Sequence, residues 1–120
     1  MSGYVKTFQQ QWSFVQIIDT GTGDTTLVVA PGDGKRLRVQ VLTVCITTAA
    51  AQAFTIEDSS ASGAVQLFAA PATLAAGTWS VECGPLGVPL STNTALEFDT
   101  AAAGVGATIS GFGYIEENIS

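Results

Sequence analysis

Histidine is absent from this 120-residue chain, and cations number only four, Lys6, Lys35, Arg36 and Arg38. Without an imidazole there is no ordinary base to activate a serine or cysteine nucleophile, and a cysteine-histidine zinc site is impossible. Charged residues make up 12% of the chain, about half the usual share of roughly 25%. Ten carboxylates leave a net charge of −6, so a phosphate backbone is repelled on average and no direct nucleic-acid contact is expected. No apolar run approaches the ~20 residues that span a bilayer as a helix, so no membrane partner is expected either. Cysteine is scarce as well. Cys45 and Cys83 sit in apolar strand-like sequence, and no basic start followed by an apolar segment signals an oxidising compartment, so reduced, unbridged thiols are expected.

What is abundant is strand-forming sequence: 47% of the residues are apolar, in short runs rich in β-branched and aromatic side chains. Turn residues bound eight such runs, at 12–18, 25–30, 35–47, 53–57, 64–69, 78–83, 94–100 and 107–116. The length suits one domain. The expected fold is all-β, a single antiparallel β-sandwich of eight strands and jelly-roll type over 12–120, preceded by an N-terminal arm over 1–11. A chain this poor in charge is expected to cover part of its surface against a partner.

Two stretches carry more apolar side chains than one sandwich face accommodates. The first is the arm and its continuation, with Tyr4, Val5, Phe8, Trp12 and Phe14. The second lies within the run 35–47, which changes face partway. Leu37, Val39 and Val41 alternate with Arg36, Arg38 and Gln40, and then Leu42, Val44 and Ile46 alternate with Thr43, Cys45 and Thr47. Either a β-bulge shifts the register or a partner covers the outer face. In the last run Gly111 and Gly113 share a face, leaving a furrow that admits another backbone or an aromatic ring. The expected interface residues are Tyr4, Val5, Phe8, Trp12, Phe14, Leu42, Val44 and Ile46, together with the cations Lys35, Arg36 and Arg38. The plain alternative for the cations is a solvated strand edge whose charge opposes edge pairing.

The sharpest enzymatic motif is Ile17-Ile18-Asp19-Thr20-Gly21, followed by Asp24-Thr25-Thr26-Leu27, which resembles the active-site segment of retroviral-type aspartic proteases. That likeness makes Asp19 the carboxylate that shares a proton with its dimer mate, braced by Thr20. The glycine-rich stretch of this chain is C-terminal, however, with no sequence after it for the helix such proteases need. Asp, Thr and Gly also make an ordinary turn between strands. The remaining carboxylates Glu57, Glu82, Glu97, Asp99, Glu116 and Glu117 single out no catalytic pair. No catalytic, metal or cofactor-binding residue is therefore expected.

Gly34-Lys35-Arg36-Leu37-Arg38-Val39, the turn Gly84-Pro85-Leu86-Gly87-Val88-Pro89-Leu90, then Asn93-Thr94-Ala95-Leu96-Glu97-Phe98 and the closing Gly111-Phe112-Gly113-Tyr114-Ile115-Glu116-Glu117 resemble small structural proteins of tailed bacteriophages. The resemblance spans residues 34–117 and leaves out the N-terminal segment. It implies a β-sandwich that decorates or cements the outer capsid surface of a virion, a homotrimer docked on the major capsid protein. A carbohydrate- or receptor-binding module of a fibre or spike is the alternative, with Tyr4, Trp12, Trp79 and Tyr114 as the candidate sugar platform.

Overall fold

The computed structural model describes residues 10–21, 23–48, 52–61, 63 and 65–117. Among them are nine strands and no helix: β1 Gln11–Ile18, β2 Thr25–Val28, β3 Arg36–Thr48, β4 Phe54–Asp58, β5 Gln66–Ala70, β6 Gly77–Glu82, β7 Val88–Pro89, β8 Leu96–Thr100 and β9 Gly106–Glu116. Each of the eight expected runs overlaps one of these strands. The two-residue β7 lies in a stretch read as loop, where Pro89 can join β3 from outside because it needs no donor. Residues 1–9 of the expected arm lie outside the described residues; Gln11, assigned to the arm, already pairs with Tyr114.

All strand pairings are antiparallel, and four of them are nested: β4 with β5, β3 with β6, β2 with β8, and β1 with β9. The chain is thus one long hairpin rolled so that its rungs fall alternately into two sheets, β1-β9-β3-β6 and β2-β8-β4-β5, packed as a β-sandwich. The core between them holds Leu37, Val39, Leu42, Val44, Ile46 and Ile109 from the first sheet and Phe54, Ile56, Leu96 and Phe98 from the second, each at most 2% exposed. Phe54 centres the second sheet's contribution, with its ring 5.0 Å from Phe98 and 5.9 Å from Phe68.

The face change in β3 is a β-bulge. Register against β9 slips between Val39 and Val41, so Gln40 is the extra residue and the parity of inward-facing positions reverses there. Leu37 and Val39 before the slip, and Leu42, Val44 and Ile46 after it, all point into the core. The expectation that Leu42, Val44 and Ile46 grip a neighbour is corrected: they are 0%, 0% and 2% exposed inside their own domain.

The glycine furrow is filled from within. Trp12 lies opposite Gly113 and Phe14 opposite Gly111 on the inner face, their rings 6.2 Å apart. A Cβ on Gly113 would collide with the Arg38 carbonyl and come within 2.5 Å of the Trp12 ring. Trp12 and Phe14 are therefore half-buried packing residues of this sandwich, which corrects their assignment to a gripping arm.

One carboxylate is fully buried. Asp58, at the end of β4, accepts bonds from the Ser60 and Ser91 hydroxyls at 2.6 and 2.7 Å and from both backbone amides, tying the β4–β5 turn to the segment before β8. Burial pushes its carboxyl pKa up, but the four donors outweigh burial and hold it below the usual value.

Candidate docking face

From Val41 onward, past the bulge, the outer face of the β1-β9-β3-β6 sheet reads across all four strands in three rows, fixed by the register. They are Ser13-Phe112-Val41-Glu82, Val15-Ser110-Thr43-Ser80, and Ile17-Thr108-Cys45-Thr78. One carboxylate, Glu82 at an edge, is the whole charge of these three rows. Three apolar side chains stand out of them: Val15 is 74% exposed, Ile17 70% and Phe112 48%. Hydroxyls and small apolar groups fill the rest, a surface that loses little on leaving water because few charges must be desolvated.

Phe112 projects between two hollows created by the bulge. One, of about 350 Å³, is lined by Gln11, Trp12, Ser13, Gln40 and Gly113; the other, of about 240 Å³, by Gln40, Val41, Glu82, Gly84 and Pro85. Gln40 forms the partition between them. Its side-chain amide donates to the Pro85 carbonyl at 2.7 Å, and its own carbonyl accepts the Cys83 amide at 2.8 Å.

The opposite face of the molecule has the reverse character. On the outer side of β2-β8-β4-β5, Glu97 and Glu57 lie directly opposite each other, with Asp99 beside Thr55 and Asp24 bonded to the Thr100 amide. Partial burial, then the repulsion of the neighbouring carboxylates, raises the pKa of both Glu97 and Asp99. The two faces of the sandwich thus divide the labour: one is acidic and keeps its water, the other is nearly neutral.

The arginines stand on the outer side of the same first sheet, on the far side of the bulge from the three rows, where they alternate with the inward Leu37 and Val39. Arg36 and Arg38 lie on β3, which has neighbours on both sides, so they do not guard an edge as the plain alternative held. Their Nε groups share one oxygen of Glu116 at 2.6 and 2.8 Å, and Arg38 also donates to the Leu86 and Gly87 carbonyls. The bonds from both arginines hold Glu116 below the usual carboxylate range. Two of the three cations expected at an interface are thereby engaged within the chain; Lys35 sits half-buried just before β3, its carbonyl accepting the Asn93 amide.

Asp19 stands in the exposed β1–β2 turn, where its carboxylate accepts the Gly21 amide at 2.9 Å, the local bond expected of a turn aspartate. Among the described residues of the sugar platform, Tyr114 is buried with its hydroxyl on the Leu86 carbonyl, Trp12 donates to the Tyr114 carbonyl, and Trp79 packs 6.3 Å from Phe68. They do not form an exposed pair. Tyr4, Val5 and Phe8 lie outside the described residues. Cys45 and Cys83 are unbridged; Cys45 is half-buried on the outer face, and burial pushes the Cys83 thiol up.

The sequence reading missed Val15, Ile17 and Phe112. The signal was present in β1, where Phe14, Val15, Ile17 and Ile18 leave neither side polar. No protein-family model matches the chain, and no curated protein matches it.

Proposed function

We propose that this chain is a structural protein of a tailed-bacteriophage virion that decorates the head, docking on the major capsid protein through the outer face of the β1-β9-β3-β6 sheet. One observation carries the reading: a twelve-position stretch of the sheet's outer face that holds a single carboxylate, with Phe112, Val15 and Ile17 standing out of it. The nested pairing, split four strands and four between the sheets with β7 as an appendage, supports the jelly-roll form that the phage resemblance implies. The acidic face then points to solvent and keeps decorated heads apart.

The mechanism is mechanical. Covering Val15, Ile17 and Phe112 contributes about 1.5–3 kcal/mol for each side chain before ordering losses, and many copies on one shell add these increments together. Purified protein mixed with undecorated heads should co-sediment with them. Phe112→Lys, which places a charge at the centre of the face on an exposed side chain, should weaken that binding at least tenfold while leaving the melting curve unchanged. Heads that sediment bare, or a Phe112→Lys chain that binds as well as the parent, refute the assignment.

A further inference from the structure

We infer that β1 is a self-pairing edge, and that two copies of this chain join through it in antiparallel register about a two-fold axis centred on Phe14. This goes beyond the docking face and does not depend on the virion reading; it replaces the homotrimer that the phage resemblance implies.

Five strands border the two sheets, and four are poor templates for another chain, the two-residue β7 with its proline among them. β2 has four residues and slips in register against β8; β5 has five and slips against β4; β6 ends in Glu82. β1 has eight residues, no charge, no proline and no slip against β9. Long, flat, uncharged edges are what soluble proteins otherwise avoid.

The direction of its free backbone groups follows from one bond. The Ile115 amide donates to the Gln10 carbonyl at 2.8 Å, and the register places these two residues opposite each other. Alternation along an antiparallel ladder then turns the backbone groups of Trp12, Phe14, Gln16 and Ile18 toward β9, and those of Gln11, Ser13, Val15 and Ile17 toward the open edge. These four positions are symmetric about Phe14. In a pair centred there Gln11 meets Ile17 of the second copy and Ser13 meets its Val15, so every outward-facing amide and carbonyl of the strand finds a partner. The Ile17 carbonyl now accepts the Gln16 side-chain amide at 3.3 Å, a weak local bond that a second strand displaces.

Charge favours a second copy over a foreign strand. β1 offers neither sign to a charged segment, and the Glu57, Glu97 and Asp99 cluster that would repel a copy lies on the other sheet. Antiparallel pairing also holds the two turns carrying Asp19 and Asp24 at opposite ends of the joint. The result is one continuous sheet with two nearly neutral faces side by side.

Sedimentation of the full chain over a concentration series tests this. The parent should show a monomer–dimer equilibrium with Kd near micromolar, as befits a joint at the small end of stable interfaces. Val15→Pro removes an amide that points to the open edge and has no partner in β9, so it should leave the fold, read by circular dichroism, and yield a monomer. Ser13→Lys should weaken the dimer at least tenfold without touching the ladder to β9, and it decides the matter should Val15→Pro fail to fold. A parent that stays monomeric at roughly 100 µM, whether because its own N-terminal residues or nothing at all occupies the edge, overturns the inference. So does a trimer, or a dimer indifferent to Ser13→Lys. A monomer that still binds heads refutes the edge and leaves the docking face standing, while a dimer that binds no heads does the reverse.

Discussion

Gly113→Ala isolates the contact on which the first and last strands close. The position has no positive φ, so an alanine meets no backbone strain and the effect is steric alone. Its Cβ would overlap the Arg38 carbonyl oxygen and lie 2.5 Å from the Trp12 ring. The ring can turn, but the carbonyl belongs to the central strand β3 and cannot. Overpacking commonly costs about 1–3 kcal/mol, and a backbone obstacle puts this site at the top of that range or above it. Removing a glycine from the unfolded chain returns only about 0.4–1 kcal/mol. A net loss of about 3 kcal/mol lowers the melting temperature of a domain this size by roughly 10 °C. Urea and thermal unfolding followed by circular dichroism give both numbers. Gly111→Ala, whose Cβ would sit 2.7 Å from the Val41 carbonyl, should cost less, about 1–2 kcal/mol. Gly23→Ala, with nothing within 4 Å, should stay within about 0.5 kcal/mol. Truncating Trp12 in the Gly113→Ala chain should recover little, because the Arg38 carbonyl remains. A Gly113→Ala melt within about 3 °C of the parent refutes the packing argument.

Asp58→Ala strands the Ser60 and Ser91 donors and should cost about 2–4 kcal/mol in a urea titration, a loss Asp58→Asn only partly avoids because its amide turns a donor toward donors. Stability should peak at mildly acid pH. Glu97 and Asp99 have raised folded pKa values, so the stability they withhold at neutral pH returns as pH falls through those values. Glu116 and Asp58 have lowered values, so their contribution persists through the ordinary carboxylate range near ~4 and is lost as pH falls below it. Melting temperature against pH should therefore rise and then fall on acidification, and Glu97→Gln should flatten the rise; a monotonic decline from neutrality contradicts the assignment. Glu116→Gln should lower stability by less than about 1 kcal/mol, since both arginines keep solvent contact, and urea midpoints resolve that limit.

The strands were legible because β-branched and aromatic runs stop at turn residues, and each run lies within two residues of the strand it predicts. The furrow was legible too, since Gly111 and Gly113 recur at the strand period. Side assignment was harder. A single extra residue, Gln40, reverses inward and outward for everything after it, which converts Leu42, Val44 and Ile46 from apparent surface to core. Periodicity shows that a strand changes face and is silent on whether the chain or a partner absorbs the change. The same reasoning would have exposed β1, whose Val15 and Ile17 are apolar on the side opposite Phe14 and Ile18. What no local pattern carries is which strands become neighbours: the near-neutral face is assembled from four segments, and its rows exist only once their registers are set.

The nested pairing has a consequence for synthesis. Trp12 leaves the ribosome about 100 residues before Gly113, the partner that covers it, since 113 − 12 = 101. At about 5–20 residues per second the strand waits roughly 5–20 s with both of its sides bare and no charge to keep it apart from others. Neighbouring nascent chains on one message hold that strand in the same state at the same moment. Soluble yield should then depend on how densely ribosomes load the message as well as on the stability of the finished fold.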